Sequence, residues 1–465
     1  MSNVINHILN NTQHGSRTAV IGPDQTITYQ ELKIQIAKAT TFFQQALTPD
    51  NNRVTIAAGD SVAFAVAALG VMAAGGVLTS LPVKGDQSAR LAKLNPAMVF
   101  DDVSILQWYE SIQSFDQSVP TNTSGPCLFL SSGGTTGVGK FFIHTHETVY
   151  RTAISLHGQV VGTPDDVALS VVPLYAAWGI MCLISNLING TTVIIGCGIN
   201  PNQIKRTIEK NNVTYMSAVP AIYSMMLKHD VMPSPMPRVC DVGGDFTTEH
   251  LRREWHKRTN VHLTHLMGTS ETGLLFVVPK ADIMSCPMNS LGKKIPDIEI
   301  ELRDDYGNIV PVGQPGALWV RSDANCVGLW QDPDKEKTIC QNGWISIDDM
   351  VKQDHIGNYF FVGRKSELFK IDSKMVDVTG VENSCLSSGL LDDVMAIPLY
   401  DDQNRTHIKL LAVANKNTVL ENLDAQLKAY LLGVLPHHEV PKYIQVVDDL
   451  PRTPAGKKVR KPEFL

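Results

Sequence analysis

The chain has 465 residues, 43% of them hydrophobic and 18% charged, with a formal net charge of −6. That length exceeds one hydrophobic core and calls for two or three domains of ordinary globular composition; the acidic balance excludes a general binder of nucleic acid or anionic membrane, so a phosphate site has to be a local cationic patch. The eight cysteines are scattered with no Cys-x-x-Cys pair, and Met1-Ser2-Asn3-Val4 shows no signal-peptide pattern, which argues against a zinc site and for a reducing, cytoplasmic setting.

Tyr29-Gln30-Glu31-Leu32 opens a helical pattern running to about residue 45, and Val54-Thr55-Ile56-Ala57 reads as a strand. Residues 62–81 have the length of a membrane span. Gly75-Gly76 and Thr79-Ser80 interrupt the run and Pro82 ends it, so a buried helix, a Gly-Gly turn and a strand are predicted, with no integral membrane segment. Cys127-Leu128-Phe129-Leu130 reads as a buried strand leading into Ser131-Ser132-Gly133-Gly134-Thr135-Thr136-Gly137-Val138-Gly139-Lys140. Glycines let N–H groups converge, hydroxyls add donors and Lys140 adds a point charge, which suits phosphate oxygens. Gly134 to Lys140 has the spacing of the P-loop of nucleotide hydrolases. Phe141 stands where that motif needs a hydroxyl for magnesium, however, and residues 141–146 favour a strand over a helix. A glycine–threonine loop without a ligand is the plain alternative.

Strands at 168–172, 192–195 and 213–219 alternate with helical stretches at 183–188 and 222–227, with an Asn189-Gly190 turn signal between. Such alternation predicts an α/β chain of mainly parallel sheets flanked by helices. Val242-Gly243-Gly244-Asp245 alone is only a turn. Met267-Gly268-Thr269-Ser270-Glu271-Thr272-Gly273, after the strand-like 261–264, offers a tight glycine turn, hydroxyls and one carboxylate. ATP-bound magnesium takes one or two carboxylates beside phosphate oxygens, and Glu271 could supply one; a solvated turn acid is the alternative. From Ile298 the texture changes to period-two alternation and hairpin turns, which predicts a small antiparallel, barrel-like sheet over about 298–363. A boundary near Gly363-Arg364-Lys365-Ser366 leaves 366–465 as a separate small domain. Pro451-Arg452-Thr453-Pro454-Ala455-Gly456-Lys457 presents a lysine on a proline- and glycine-shaped loop; by composition it is merely a basic tail.

Taken together and in order, over about residues 26–460, these motifs resemble the adenylate-forming superfamily of acyl- and aryl-CoA synthetases, nonribosomal adenylation domains and firefly luciferase. The resemblance implies a large N-terminal domain, residues 1–363, and a mobile C-terminal α+β lid, residues 366–465, swinging about Ser366. It implies ATP, Mg2+ and coenzyme A. Ser132, Gly133, Gly134, Thr135, Thr136, Gly137 and Lys140 would hold phosphates. Gly244 and Asp245 would line the nucleotide, with Met267 in the usual tyrosine's place against adenine, Gly268, Thr269 and Ser270 near the α-phosphate, and Glu271 on the metal. Asp349, in Gly343-Trp344-Ile345-Ser346-Ile347-Asp348-Asp349, would take the ribose diol with Arg364. Lys457, with Thr136 and Glu271, would be catalytic, bridging substrate carboxylate and α-phosphate. Departures from the family pattern are Gly139, Met267, Ile347, Asp348, Ser366, Ser373 and Val378.

Pro173-Leu174-Tyr175-Ala176-Ala177-Trp178-Gly179 is similar to the aromatic-rich run of benzoate-CoA ligases. Ala176 stands where amino-acid-activating relatives carry an aspartate, so an α-amino acid is not expected. Tyr175, Ala176, Ala177 and Trp178, with Gly243 and Gly244, are expected to bound an apolar slot for a flat or medium-chain acid; core packing is the other reading for the two aromatics. The short chain also resembles o-succinylbenzoate-CoA ligases, though no cation is placed for a second carboxylate. The expected reaction makes an acyl-adenylate and pyrophosphate, then a thioester with CoA. The alternatives are a stand-alone enzyme loading a carrier protein's phosphopantetheine, and a degenerate nucleotide-binding protein.

Overall fold

The computed structural model describes the chain apart from residues 1–2, 12–14, 121–123, 132–138, 161, 246, 279–282, 288, 366–367, 372–373, 402, 404, 417, 453–457 and 459–465. The helix Tyr29–Ala46 starts on a capping box: the Glu31 amide donates to the Thr28 hydroxyl at 3.2 Å, and the Thr28 amide donates to Glu31 Oε2 at 2.7 Å. It buries Leu32, Ile36, Ala39 and Phe43 along one stripe. That stripe lies against Val62–Ala73, a helix in which every residue is buried. The contact is so close that a Cβ added to Gly70 would overlap the Ala39 methyl. The membrane-length run is therefore this helix, a turn through Gly75 at φ +81°, and the strand Val77–Ser80. Among the described residues no helix is long and apolar enough to cross a membrane.

Two sheets carry the body. The first runs Gly328–Leu329, Phe141–Thr145, Pro126–Ser131, Val77–Ser80, Arg53–Ile56, Met98–Phe100. Its last four strands are parallel, while Pro126–Ser131 and Phe141–Thr145 pair antiparallel. The Ser/Gly/Thr-rich segment thus joins two neighbouring strands of one sheet, not a strand to a helix as a P-loop would. The second sheet has nine strands. Leu263–Thr269, Val239–Val242, Tyr215–Ala218, Val167–Ser170, Thr192–Ile194 and Thr18–Ile21 form its parallel centre. The helices Pro201–Asn211, Pro220–Lys228 and Glu249–Thr259 bury Ile204, Ile208, Tyr223 and Trp255 on one face. The helix Ala177–Asn189 covers the other and runs longer than the predicted 183–188 before Gly190, at φ +81°, ends it.

One predicted turn is displaced. Gly268 and Thr269 complete the strand Leu263–Thr269, and the chain reverses over Ser270–Thr272 into Gly273–Val277. Gly268 serves close strand approach, since a Cβ there would come 2.6 Å from the Gly273 carbonyl oxygen. Beyond Ile298 the chain builds an antiparallel five-stranded sheet of Glu299–Arg303, Gly316–Arg321, Cys340–Gln341, Trp344–Gln353 and Tyr359–Arg364. Asp348 therefore sits within the strand Trp344–Gln353. Ile347 is buried with Leu318, Val320 and Val351, which accounts for an aliphatic residue at that position. Residues from Val378 onward form a three-stranded sheet, Leu391–Tyr400, Thr406–Ala414 and Tyr443–Val446, with the helices Val378–Ser387 and Leu423–Leu432 around their own apolar cluster.

Candidate active site

The motifs of the body converge where the hairpin strands of the first sheet meet the end of Leu263–Thr269. Ser131 closes one hairpin strand, and the Ser270 hydroxyl donates to its carbonyl at 3.4 Å. His144, on the other hairpin strand, places Nε2 2.8 Å from the Ser270 carbonyl oxygen and Nδ1 3.2 Å from the Thr148 hydroxyl. Burial pushes the His144 pKa down to about 4, so the ring is neutral, and its Nε2–H donates to Ser270. The sequence offers no local sign of this role, because its partner lies 126 residues away. Ser132, Gly133, Gly134, Thr135, Thr136 and Gly137 lie outside the described residues, as do Ser366, Ser373 and Lys457.

Glu271 sits in the reversal after Thr269. Its amide donates to the Thr269 hydroxyl at 3.3 Å, and its carbonyl accepts the Cys326 amide at 2.8 Å. Desolvation raises its carboxyl above the usual range; Thr269 and the charges of Lys140 and Arg364 oppose that rise. A cation from the first motif and one from the strand Tyr359–Arg364 therefore act on the same carboxylate. Arg364 is also the cross-strand partner of Asp349, with Nε 3.9 Å from Oδ1. Asp349 is largely shielded, its side chain 15% exposed. Asp348 faces solvent by strand alternation, and its carbonyl accepts the Lys365 amide at 2.6 Å.

The proposed acid slot is built from another corner. Gly243 ends the run of Val239–Val242, and a Cβ there would lie 2.5 Å from the Leu266 carbonyl oxygen and 3.6 Å from Trp178 Cη2. Gly244 holds φ +77° beneath the same indole. Tyr175, Ala176, Ala177 and Trp178 are half-buried, as is Met267; Ala177, Trp178 and Met267 pack against the edge of the main core, so core packing accounts for part of the Trp178 surface. Asp245 is half-buried and Gly244 exposed beside them. The segment before Trp178 is pinned by Asp60, whose Oδ1 accepts the Leu174 amide at 2.9 Å, and by Ser80, which donates to the Tyr175 carbonyl at 3.3 Å. Burial lifts the Asp60 carboxyl to about 6. Sequence reading missed Asp60 because it acts from 114 residues away.

At the far end of the chain Arg452 and Lys458 flank the segment carrying Lys457 and pair in a β-bridge. Both bind Asp393: Arg452 through its guanidinium, and Lys458 Nζ at 2.9 Å from Oδ1. Lys458 also donates to the Val394 carbonyl at 2.7 Å.

Residues 9–330 match the family described as AMP-binding enzyme, and residues 380–457 match the AMP-binding enzyme C-terminal domain. The chain belongs to the AMP-binding enzyme family. This AMP-binding enzyme is 24% identical over 488 residues to the 3-hydroxybenzoate–CoA/4-hydroxybenzoate–CoA ligase of Thauera aromatica, covering 95% of this chain and 92% of that one. Its fold matches the crystal structure of the anthranilate CoA ligase AuaEII in complex with anthranoyl-AMP, with a TM-score of 0.92 at 18% identity over 99% of this chain and 96% of the other. It also matches a benzoate CoA ligase from Burkholderia xenovorans LB400, with a TM-score of 0.89 at 21% identity over 100% and 99% of the two chains.

Proposed function

We propose that this AMP-binding enzyme activates a carboxylic acid with ATP and passes the acyl group to coenzyme A. A carboxylate oxygen attacks the α-phosphorus, the bond to the β-phosphate oxygen breaks, and pyrophosphate leaves with that electron pair. The thiol of coenzyme A, giving up its proton to solvent, then attacks the carbonyl carbon of the acyl-adenylate; the bond from that carbon to the phosphate oxygen breaks, and AMP leaves with the electron pair. The observation that supports the reading links four separate motifs: the charges of Lys140 and Arg364 both act on the Glu271 carboxyl, and Arg364 is the cross-strand partner of Asp349.

In that reading Ser132 to Gly137 and Lys140 hold the phosphates, with Thr136 catalytic. Gly268, Thr269 and Ser270 approach the α-phosphate, Gly244, Asp245 and Met267 border the base, and Asp349 accepts the ribose hydroxyls beside Arg364. Lys457 meets the charge that grows on the α-phosphate oxygens as the acid attacks. Glu271 suits Mg2+: it is a hard oxygen donor, desolvated and steadied by Thr269. When bound, that ion would neutralise phosphate charge. Residues 366–465 act as a lid turning about Ser366, and the clamp of Arg452 and Lys458 on Asp393 supports presentation of Lys457.

The slot under Trp178 suits a flat acid, and the aryl-CoA ligases among its relatives support that class. The eight free cysteines support a reducing, cytoplasmic setting. Acid-dependent ATP–pyrophosphate exchange over a panel of carboxylic acids, followed by CoA consumption, tests the proposal. Exchange without CoA turnover would move the acceptor to a carrier protein's phosphopantetheine arm. Absence of exchange with every acid would leave a nucleotide-binding protein without this activity.

A further inference from the structure

The central strands bury a carboxylate that the proposed nucleotide chemistry does not use. Along Val239–Val242 the side chains of Cys240 and Val242 join the apolar cluster under the outer helices. Asp241 points to the opposite face, the one that continues into Gly243. It is completely buried. The Tyr215 hydroxyl donates to its Oδ2, and the Ser217 hydroxyl faces the same carboxyl, yet Oδ1 has no hydrogen-bond partner. Buried polar oxygens are seldom left so, because the lost hydration is not returned.

The neighbours of the carboxyl lie on the adjoining helix and strand. Trp178 and Cys182 are four residues apart on Ala177–Asn189 and share a helix face. Trp178 covers Gly243 and Gly244. Cys182 reaches Ser217 at 3.9 Å and adjoins Asp241. The strand pair Gly243 and Asp241 and the helix pair Trp178 and Cys182 thus run side by side, with Trp178 over the two glycines and Cys182 beside the buried polar group of Tyr215, Ser217 and Asp241. Two residues of strand span about 6.6 Å, close to the reach from a benzoate carboxyl carbon to a substituent across the ring. Burial raises the Asp241 carboxyl to about 7, so near neutral pH it exchanges readily between acceptor and proton-bearing forms.

We propose that Asp241 reads a hydrogen-bond donor at the far end of the acid, so that the substrate is an aromatic acid bearing a hydroxyl or amino group, selected over its unsubstituted parent. The inference rests on the proposed acid activation. An acid carrying a donor satisfies Oδ1, whereas an unsubstituted ring leaves it stranded, and sites built this way discriminate strongly.

The test compares kcat/KM in ATP–pyrophosphate exchange for benzoate, 3- and 4-hydroxybenzoate and 3- and 4-aminobenzoate. The full-length wild type, Asp241→Ala and Asp241→Asn are assayed, with folding checked by circular dichroism and the KM for ATP. Wild type is expected to prefer at least one substituted acid by about tenfold or more. Asp241→Ala should erase or invert that ratio, and Asp241→Asn, which keeps size and an acceptor oxygen, should fall between. A wild type that uses benzoate as well as its derivatives, or only aliphatic acids, overturns the inference and leaves acid activation standing. A folded Asp241→Ala that keeps the wild-type preference overturns it as well, since a purely structural carboxylate would not set the ratio. If Asp241→Ala does not fold, the wild-type ratio and Asp241→Asn decide. Absence of exchange with every acid removes both proposals.

Discussion

At Glu271 a carboxylate is kept out of water while two cations, Lys140 and Arg364, oppose its protonation. Removing its charge while keeping its shape, in Glu271→Gln, is expected to lower exchange on the order of 100-fold and to raise the magnesium concentration needed for half-maximal rate; titration of exchange against magnesium checks this. Lys457→Ala should abolish exchange yet leave ATP binding by calorimetry intact, because a cation aimed at developing charge acts on the transition state more than on the bound nucleotide. Gly243→Ala should cost activity through geometry alone, since its methyl would lie 2.5 Å from the Leu266 carbonyl oxygen. Glu271, Asp349 and Arg364 could be singled out in the sequence as candidates because their neighbours form local motifs. His144, Asp60 and Asp241 were not. Each matters through a partner brought close only by folding, and a lone histidine or aspartate in an apolar run looks like any other.

Elements were easier to read than their edges. Hydrophobic periodicity located the helix Tyr29–Ala46 and the strand Arg53–Ile56 after it to within a residue or two, and did not find the strands Thr18–Ile21 and Thr26–Thr28 before it. The misplaced turn at Gly268 shows the limit: glycine permits both reversal and close strand approach, and only the opposing Gly273 decides between them. The same ambiguity covers Gly70. Its packing against Ala39 predicts that Gly70→Val pushes two helices apart and lowers stability by about 1–3 kcal/mol, read as a fall in Tm without a change in KM. In the C-terminal sheet, Asp393 holds both flanks of the segment carrying Lys457. Asp393→Ala should therefore reduce the exchange rate while ATP affinity stays, and thioester formation from preformed acyl-adenylate should be affected less.

On the scale of the whole molecule, buried groups of opposite kind set the response to acid. Burial lowers His144 and His146 from 6.5 to about 4, and raises Asp60 from 3.8 to about 6 and Asp241 from 3.8 to about 7. Between pH 6.5 and 4 the unfolded chain takes up protons on the histidines that the fold refuses, so their effect lowers stability as pH falls. The aspartates act the other way: the folded chain takes their protons first, so their stabilisation is complete below 3.8 and lost as pH rises through their folded values. His146→Leu should gain on wild type by up to about 3 kcal/mol on acidification from pH 6.5 towards 4, while Asp241→Asn should lose ground over the same interval; paired thermal melts across that range read both.

The short strand Gly328–Leu329 seals the outer side of Phe141–Thr145, and Leu329 packs with Phe142. Its consequence is temporal. A growing polypeptide emerging from the ribosome carries that border bare for nearly two hundred residues, a template for any other nascent chain. Fragments cut just before Gly328 should precipitate where fragments extending a few residues past Trp330 stay dispersed, and dependence on chaperones during synthesis should end at about that point.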